Sequence, residues 1–248
     1  MSDQFSLINK TILVTGASSG IGRQICVSLA ELGAKVIATG RDEIRLAETY
    51  SMLKGENHQI IPFDLTEIGL HKEFVDKLSK LSGVVHSAGI ARYVPFKAIS
   101  EKELRQTQLL NYEAPILLTQ QLLKYKKIEK KGSIIFIASI SGLIGTVGNT
   151  IYAGSKAALI AATRALAIEI AGQEIRANCV SPGMVMTPLT AKIEDSISEE
   201  TFKENKKLHP LGFGVPEDVA NACVFLLSDA SRWITGTNLI IDGGYTCH

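Results

Sequence analysis

A short apolar run, Thr11-Ile12-Leu13-Val14, leads directly into Thr15-Gly16-Ala17-Ser18-Ser19-Gly20-Ile21-Gly22. From Arg23 to Leu32 the apolar residues then recur at helical spacing, until Gly33 ends the pattern. A buried strand, a glycine turn and a helix in this order leave few options for the surrounding fold. Glycine permits the tight turn and the close approach of a ligand to the backbone. Amides at the start of the following helix face outward, where a pyrophosphate can meet them. The spacing is Gly-x-x-x-Gly-x-Gly rather than Gly-x-Gly-x-x-Gly. A glycine cluster by itself is only a loop; its place between a strand and a helix makes Gly16, Ser18, Ser19, Gly20, Ile21 and Gly22 a candidate phosphate cradle.

The alternation continues. A second strand, Ala34 to Thr39, ends at Gly40-Arg41, the point where an acidic side chain would take both ribose hydroxyls of NAD. Arg41 offers a guanidinium instead, which suits a 2′-phosphate and predicts NADP over NAD. Asp42 has the opposite charge but is not at the usual position. Helical patterns over Asp42 to Leu53 and Glu67 to Leu81 flank a third strand, Gln59 to Phe63, which ends in Asp64-Leu65. Asp64 either accepts from an adenine amino group or caps the turn that follows. A fourth strand, Gly83 to Val85, runs into His86-Ser87-Ala88-Gly89, whose small residues leave room for a ribose. His86 reads as a packed, hydrogen-bonded histidine rather than a ligand. Strands alternating with helices predict an α/β fold with a doubly wound parallel sheet and helices on both faces, here one Rossmann-type domain over residues 1–248.

Gly132 to Ile137 reads as a buried strand delivering Ser139 to the carboxyl edge of the sheet, where open α/β sheets bind their ligands. Tyr152 and Lys156, four apart in a run of helix formers reaching Ala171, share one helix face. An ammonium about 4 Å from the phenol, at an effective dielectric of about 20, would favour the phenolate by roughly 4 kcal/mol, or about 3 pKa units. The expectation is a tyrosine acidic near pH 7, where a general acid works best, with Ser139 on the same substrate oxygen. A pattern over Glu101 to Lys127 predicts a long helix in which Pro115, four residues after Asn111, frees the Asn111 carbonyl and kinks the chain. Pro182, Gly183, Val185 and Thr187, after a sixth strand over Arg176 to Val180, are candidates for the nicotinamide carboxamide. Residues 186–213 include the charged, aperiodic stretch with Glu194, Asp195, Glu199, Glu200 and Lys203, expected to be a substrate flap. The lysine-rich run Lys124 to Lys131 reads as a solvated face able to dock an acidic partner.

Composition narrows the class. The 248 residues are 46% hydrophobic and carry a formal net charge of +1, which gives no general attraction for nucleic acid or an anionic membrane. Cys26, Cys179, Cys223 and Cys247 are scattered, against a disulfide framework or a structural zinc site. The first ten residues do not read as a signal peptide and no apolar run reads as a membrane span, so a cytoplasmic protein without bound metal is expected.

Thr15-Gly16-x-x-x-Gly20-x-Gly22, Ala88-Gly89, Asn111, Ser139, Tyr152-x-x-x-Lys156, Pro182-Gly183 and Asp242-Gly243-Gly244 occur in order over essentially the whole chain. Together they resemble the short-chain dehydrogenase/reductase family, most closely its 3-oxoacyl-(acyl-carrier-protein) reductase-like members. The resemblance implies a seven-stranded sheet, a nicotinamide cofactor, a homotetramer, and a small or acyl-carrier-bound carbonyl substrate. It also implies the roles: Tyr152 exchanges the proton, Lys156 lowers its pKa and binds the nicotinamide ribose, Ser139 orients the carbonyl, and the Asn111 carbonyl holds a relay water. The chain departs from the family pattern where His86-Ser87 stands for a pair of asparagines, Ser82 for the aspartate four residues before them, and Phe213 for an arginine. A nucleotide-binding regulator of the same fold, without turnover, is the alternative; a sugar-nucleotide epimerase would need a longer chain.

Overall fold

The computed structural model describes residues 4–188, 190, 202, 204 and 206–247. Seven parallel strands, β1 (Thr11–Thr15), β2 (Lys35–Gly40), β3 (Gln59–Pro62), β4 (Leu81–His86), β5 (Ile128–Ile137), β6 (Arg176–Pro182) and β7 (Asn238–Ile241), form one sheet in the order β3-β2-β1-β4-β5-β6-β7. The order reverses direction between β1 and β4, and a crevice opens there at the strands' carboxyl ends. Thr15 Oγ1 accepts from the amides of Ser87 (3.1 Å) and Ala88 (3.2 Å), tying the ends of β1 and β4 together beneath it.

The apolar runs are continuous because both faces of the sheet are covered. Alternate residues divide between two cores. Ile12, Val14, Val85, Ile135 and Ile137 pack under helices α1 (Gly20–Glu31) and α7 (Pro216–Leu227). Leu13, Val84, Ile134 and Phe136 pack under α3 (His71–Asp76), α5 (Ala114–Lys124) and α6 (Thr150–Ile170). By length and composition alone the helix Thr150–Gln173 could cross a membrane; here Leu159, Ile160, Ala167 and Ile170 bury it against the sheet.

Other differences from the sequence have local causes. The helix expected from Glu67 to Leu81 shrinks to α3 behind a 3₁₀ turn, because Leu81 belongs to β4, where its amide donates to the Lys127 carbonyl at 2.8 Å. The expected long helix is α4 (Glu101–Gln108) and α5 joined by a π turn, Leu109–Glu113, in which the Ala114 amide reaches the Leu109 carbonyl. Pro115 has no amide for the Asn111 carbonyl, so the wider turn falls where the kink was expected. Residues 189, 191–201, 203 and 205 of the expected flap, with Glu194, Asp195, Glu199, Glu200 and Lys203, lie outside the described residues. Its base is stitched: the Met186 amide donates to the Gly214 carbonyl and the Gly214 amide to that of Met184, both at 2.9 Å. Phe213 packs edge-on to Phe202 and His209.

Candidate active site

A cleft of about 500 Å³ follows the carboxyl edge of the sheet from α1 to α6. At its floor, Gly16 takes φ +66°, and a Cβ there would lie 2.7 Å from the Ala88 Cα. Gly20 is also left-handed, φ +53°, and a Cβ there would touch the Thr187 side chain at 3.5 Å. Gly22 is small for a different reason: a Cβ would sit 2.3 Å from the Gly16 carbonyl oxygen, so α1 starts directly on its own turn. Ser19, at the N-cap, makes no side-chain cap, and the first turn of α1 holds no acidic residue. Outward amides without a resident anion are what a phosphate needs.

At the end of β2, Arg41 extends into solvent and pairs with Asp64 at 3.5 Å. The other Asp64 carboxylate oxygen accepts from the Thr66 amide (2.9 Å) and hydroxyl (2.7 Å), so of the two roles weighed for this residue the structure displays the capping one. Thr66 and Arg41 help hold its carboxyl below the usual range against burial, the largest influence, which pushes it up. Asp42 caps α2 (Glu43–Ser51) through the Arg45 amide and binds the Arg45 guanidinium at 2.7 Å. Its carboxylate is thereby engaged away from a ribose, and Arg45 joins Arg41 at this end of the cleft.

Ser139, Tyr152 and Lys156 converge at the other end. Ser139 follows β5 and accepts from the Ser141 amide at 3.1 Å. Tyr152 and Lys156 lie one turn apart on α6, as their spacing requires, and the phenol is hydrogen-bonded to Ser139. The ammonium does not behave as expected. Lys156 is 5% exposed and donates to the Ile137 carbonyl at 2.7 Å, with its nitrogen 5.6 Å from the Tyr152 ring centre. Burial holds Lys156 down to about 8 and pushes Tyr152 up to about 12, Tyr93 adding to the rise and Ser139 opposing it. The expected phenol near neutrality is thus overturned: desolvation outweighs the lysine, whose charge is directed at a strand carbonyl.

Asn111 stands behind this wall. Its carboxamide accepts from the Ile90 amide and donates to the Ile90 carbonyl, both at 2.9 Å, and donates to Ser155 Oγ at 3.2 Å. Ser155 in turn donates to the Tyr152 carbonyl at 2.7 Å. Gly89 lies between: a Cβ would meet Asn111 Oδ1 at 3.3 Å and Lys156 Nζ at 3.5 Å. Leu65, Ser87, Pro182, Gly183, Val185 and Thr187 line the cleft as the sequence suggested. His86 is a packed residue. It stacks on Phe136 at 4.9 Å and bonds Thr119 Oγ1 at 2.9 Å, and burial lowers it to about 3.

Sequence reasoning missed Arg45, which lines the cleft, and Tyr93, which acts on the Tyr152 phenol. Arg45 had a signal, a cation three residues after an N-cap aspartate. Tyr93 sits in an aperiodic loop held by the Val94 amide donating to the Gly148 carbonyl at 2.7 Å. The Lys124 to Lys131 run lies at the amino end of β5, the end of the sheet opposite Ser139. Its Lys127 binds carbonyls at Asp76 and Leu78, and Lys130 pairs with Glu174.

A family model described as enoyl-(acyl carrier protein) reductase matches residues 16–246. The L-xylulose reductase of Caenorhabditis elegans is 36% identical, covering 99% of both chains. The 3-oxoacyl-(acyl-carrier-protein) reductase of Thermotoga maritima is 35% identical over 96% of this chain and 98% of its own. Among solved structures, a short-chain type dehydrogenase/reductase from Mycobacterium marinum superposes with a TM-score of 0.89 at 31% identity, covering 99% of both chains. A protein described as a 2-deoxy-D-gluconate 3-dehydrogenase from Agrobacterium tumefaciens, with bound NADP, gives 0.91 at 29% identity over the whole of both chains.

Proposed function

The chain belongs to the short-chain dehydrogenase/reductase family of NAD(P)-dependent oxidoreductases, and on that premise we propose that it interconverts a ketone and a secondary alcohol with NADP(H). The observation that carries the reading is the Tyr152 phenol, hydrogen-bonded to Ser139, at one end of a cleft whose other end is an uncapped helix start. The dinucleotide, when bound, supplies or takes the hydride. The protein's part is to hold and move the proton: Tyr152 donates to the carbonyl oxygen, and Ser139 orients that oxygen and shares its charge. Lys156 would hold a ribose of the dinucleotide, while Asn111 fixes Ile90 and, through Ser155, the first turn of α6. Gly16 to Gly22 would hold the pyrophosphate.

Support for NADP over NAD comes from Arg41 and Arg45, two guanidinium groups at the end of β2, and from the engagement of Asp42 with its own helix. A scaffold without turnover would have no use for a phenol paired to a serine at the cleft. The reading is tested by following NADPH and NADH oxidation against a ketone panel with wild type and Tyr152→Phe. Reduction with NADPH, lowered about 100-fold or more in the variant, is expected from loss of a general acid. Undiminished activity in the variant would remove Tyr152 from the chemistry.

A further inference from the structure

Arg23 lies in the first turn of α1, and the chemistry at Tyr152 makes no use of it. Its side chain is 26% exposed, and its guanidinium is bonded along both edges. Nη2 donates to the Ser18 carbonyl at 2.7 Å, and Nε donates to Thr49 Oγ1 at 3.0 Å. The Thr49 hydroxyl, fully buried, donates in turn to the Ala17 carbonyl at 2.8 Å, the shorter of its two contacts to carbonyl oxygens. Nη2 also reaches α2, at the Arg45 carbonyl (3.3 Å) and the Glu48 carboxylate (2.8 Å). One guanidinium therefore draws two successive carbonyls of the glycine turn to one side, directly at Ser18 and through Thr49 at Ala17. In a planar trans peptide a carbonyl and the amide of the next residue point opposite ways. The Ser18 and Ser19 amides thus face away from Arg23 and Thr49. Both amides are without a partner among the described residues, and both residues line the cleft. Either peptide turned over would present a carbonyl oxygen to the cleft and repel an anion.

We propose that Arg23 is a positioning residue for the dinucleotide: it holds the Ala17 and Ser18 carbonyls back, so that the Ser18 and Ser19 amides are free to meet a phosphate. The proposal rests on the cofactor reading above and deepens it. A guanidinium suits the task because its fork makes several bonds in fixed directions and keeps its charge at every working pH. Glu48 offsets that charge on the side of α2. The dinucleotide offers two phosphate sources, the pyrophosphate common to NADH and NADPH and the 2′-phosphate of NADPH alone. Outward amides suit either.

The test measures the dissociation constants of NADPH and NADH from nucleotide fluorescence, without substrate, for wild type, Arg23→Met and Glu48→Gln. Arg23→Met removes the guanidinium and keeps its stem. Glu48→Gln breaks the ion pair between α1 and α2 and leaves the bonds to Ser18 and Thr49 in place. Arg23→Met is expected to weaken NADPH binding about tenfold or more, the worth of a charge-assisted hydrogen bond, and Glu48→Gln less than about twofold. A like loss for NADH assigns the amides to the pyrophosphate, and a loss for NADPH alone assigns them to the 2′-phosphate. Equal losses in the two variants, or none in a folded Arg23→Met, overturn the proposal and leave Arg23 as a tie between two helices. Should Arg23→Met fail to fold, Thr49→Val takes the donor from the Ala17 carbonyl and is expected to weaken NADPH binding about threefold or more; unchanged binding rejects the proposal. Should wild type bind neither dinucleotide, the cofactor reading fails separately. Arg23 is then judged by whether inorganic pyrophosphate raises the melting temperature of wild type more than that of the folded variant; equal shifts reject it.

Discussion

Replacing Lys156 with methionine tests whether the site holds its cation against the solvent's preference. Lys156 is 5% exposed, and burial lowers its pKa from 10.5 to about 8. Between those values the unfolded chain binds the proton that the folded chain has released, so wild-type stability rises with pH across the window. Below pH 8 the folded state carries the full penalty, roughly 3 kcal/mol for a shift of this size. About 2 kcal/mol of it should be recovered between pH 7 and pH 9.5. Tyr152, raised from 10 to about 12, has the opposite sign, stabilising below pH 10 and losing that effect as pH climbs to 12, so measurements stop short of its range. Lys156→Met removes the charge at all pH values. It also leaves the Ile137 carbonyl without its donor, a loss of about 1–3 kcal/mol that does not vary with pH. The stability difference at one pH is therefore ambiguous, but its slope is not. Urea unfolding of both proteins, at one fixed protein concentration from pH 7 to 9.5, should show wild type gaining about 2 kcal/mol on the variant. A difference constant to within about 0.5 kcal/mol would mean that the ammonium is not held down by burial, and the account of the site's electrostatics would be wrong.

Two further outcomes are expected. Arg41→Ala should raise the KM for NADPH about tenfold or more, the loss of a charge-assisted contact to phosphate, while changing that for NADH little; equal changes for both would refute the 2′-phosphate role. Gly22→Ala sets helix propensity against contact. In an open helix the change gains up to about 1 kcal/mol, but a Cβ 2.3 Å from the Gly16 carbonyl oxygen should destabilise the fold and lower the melting temperature by several degrees. A melting temperature at or above wild type would show that the turn can open at little cost.

Most of the scaffold was legible because it depends on patterns that act locally. The strands announced themselves as apolar runs, and Pro115 located the irregular turn through one missing amide. Every cleft residue chosen from motif spacing lines the cleft, because glycine turns and strand ends fix the backbone that builds it; Asn111 stands behind its wall instead. What spacing could not show was where a flexible side chain would find its partner. Four residues between Tyr152 and Lys156 place both on one face, but only the assembled sheet brings the Ile137 carbonyl within 2.7 Å of the ammonium.

That difference bears on direction. A phenol pushed up to about 12 is fully protonated across the ordinary pH range, the state from which a proton is given to a carbonyl oxygen. Alcohol oxidation starts from the opposite state, a phenolate that burial opposes and that the lysine, bonded to a strand, does little to favour. Reduction is therefore expected to run well at neutral pH. Alcohol oxidation should rise with pH above neutrality, a rise read from kcat/KM profiles in the two directions. Profiles that rise together would mean that some group other than Tyr152 carries the proton.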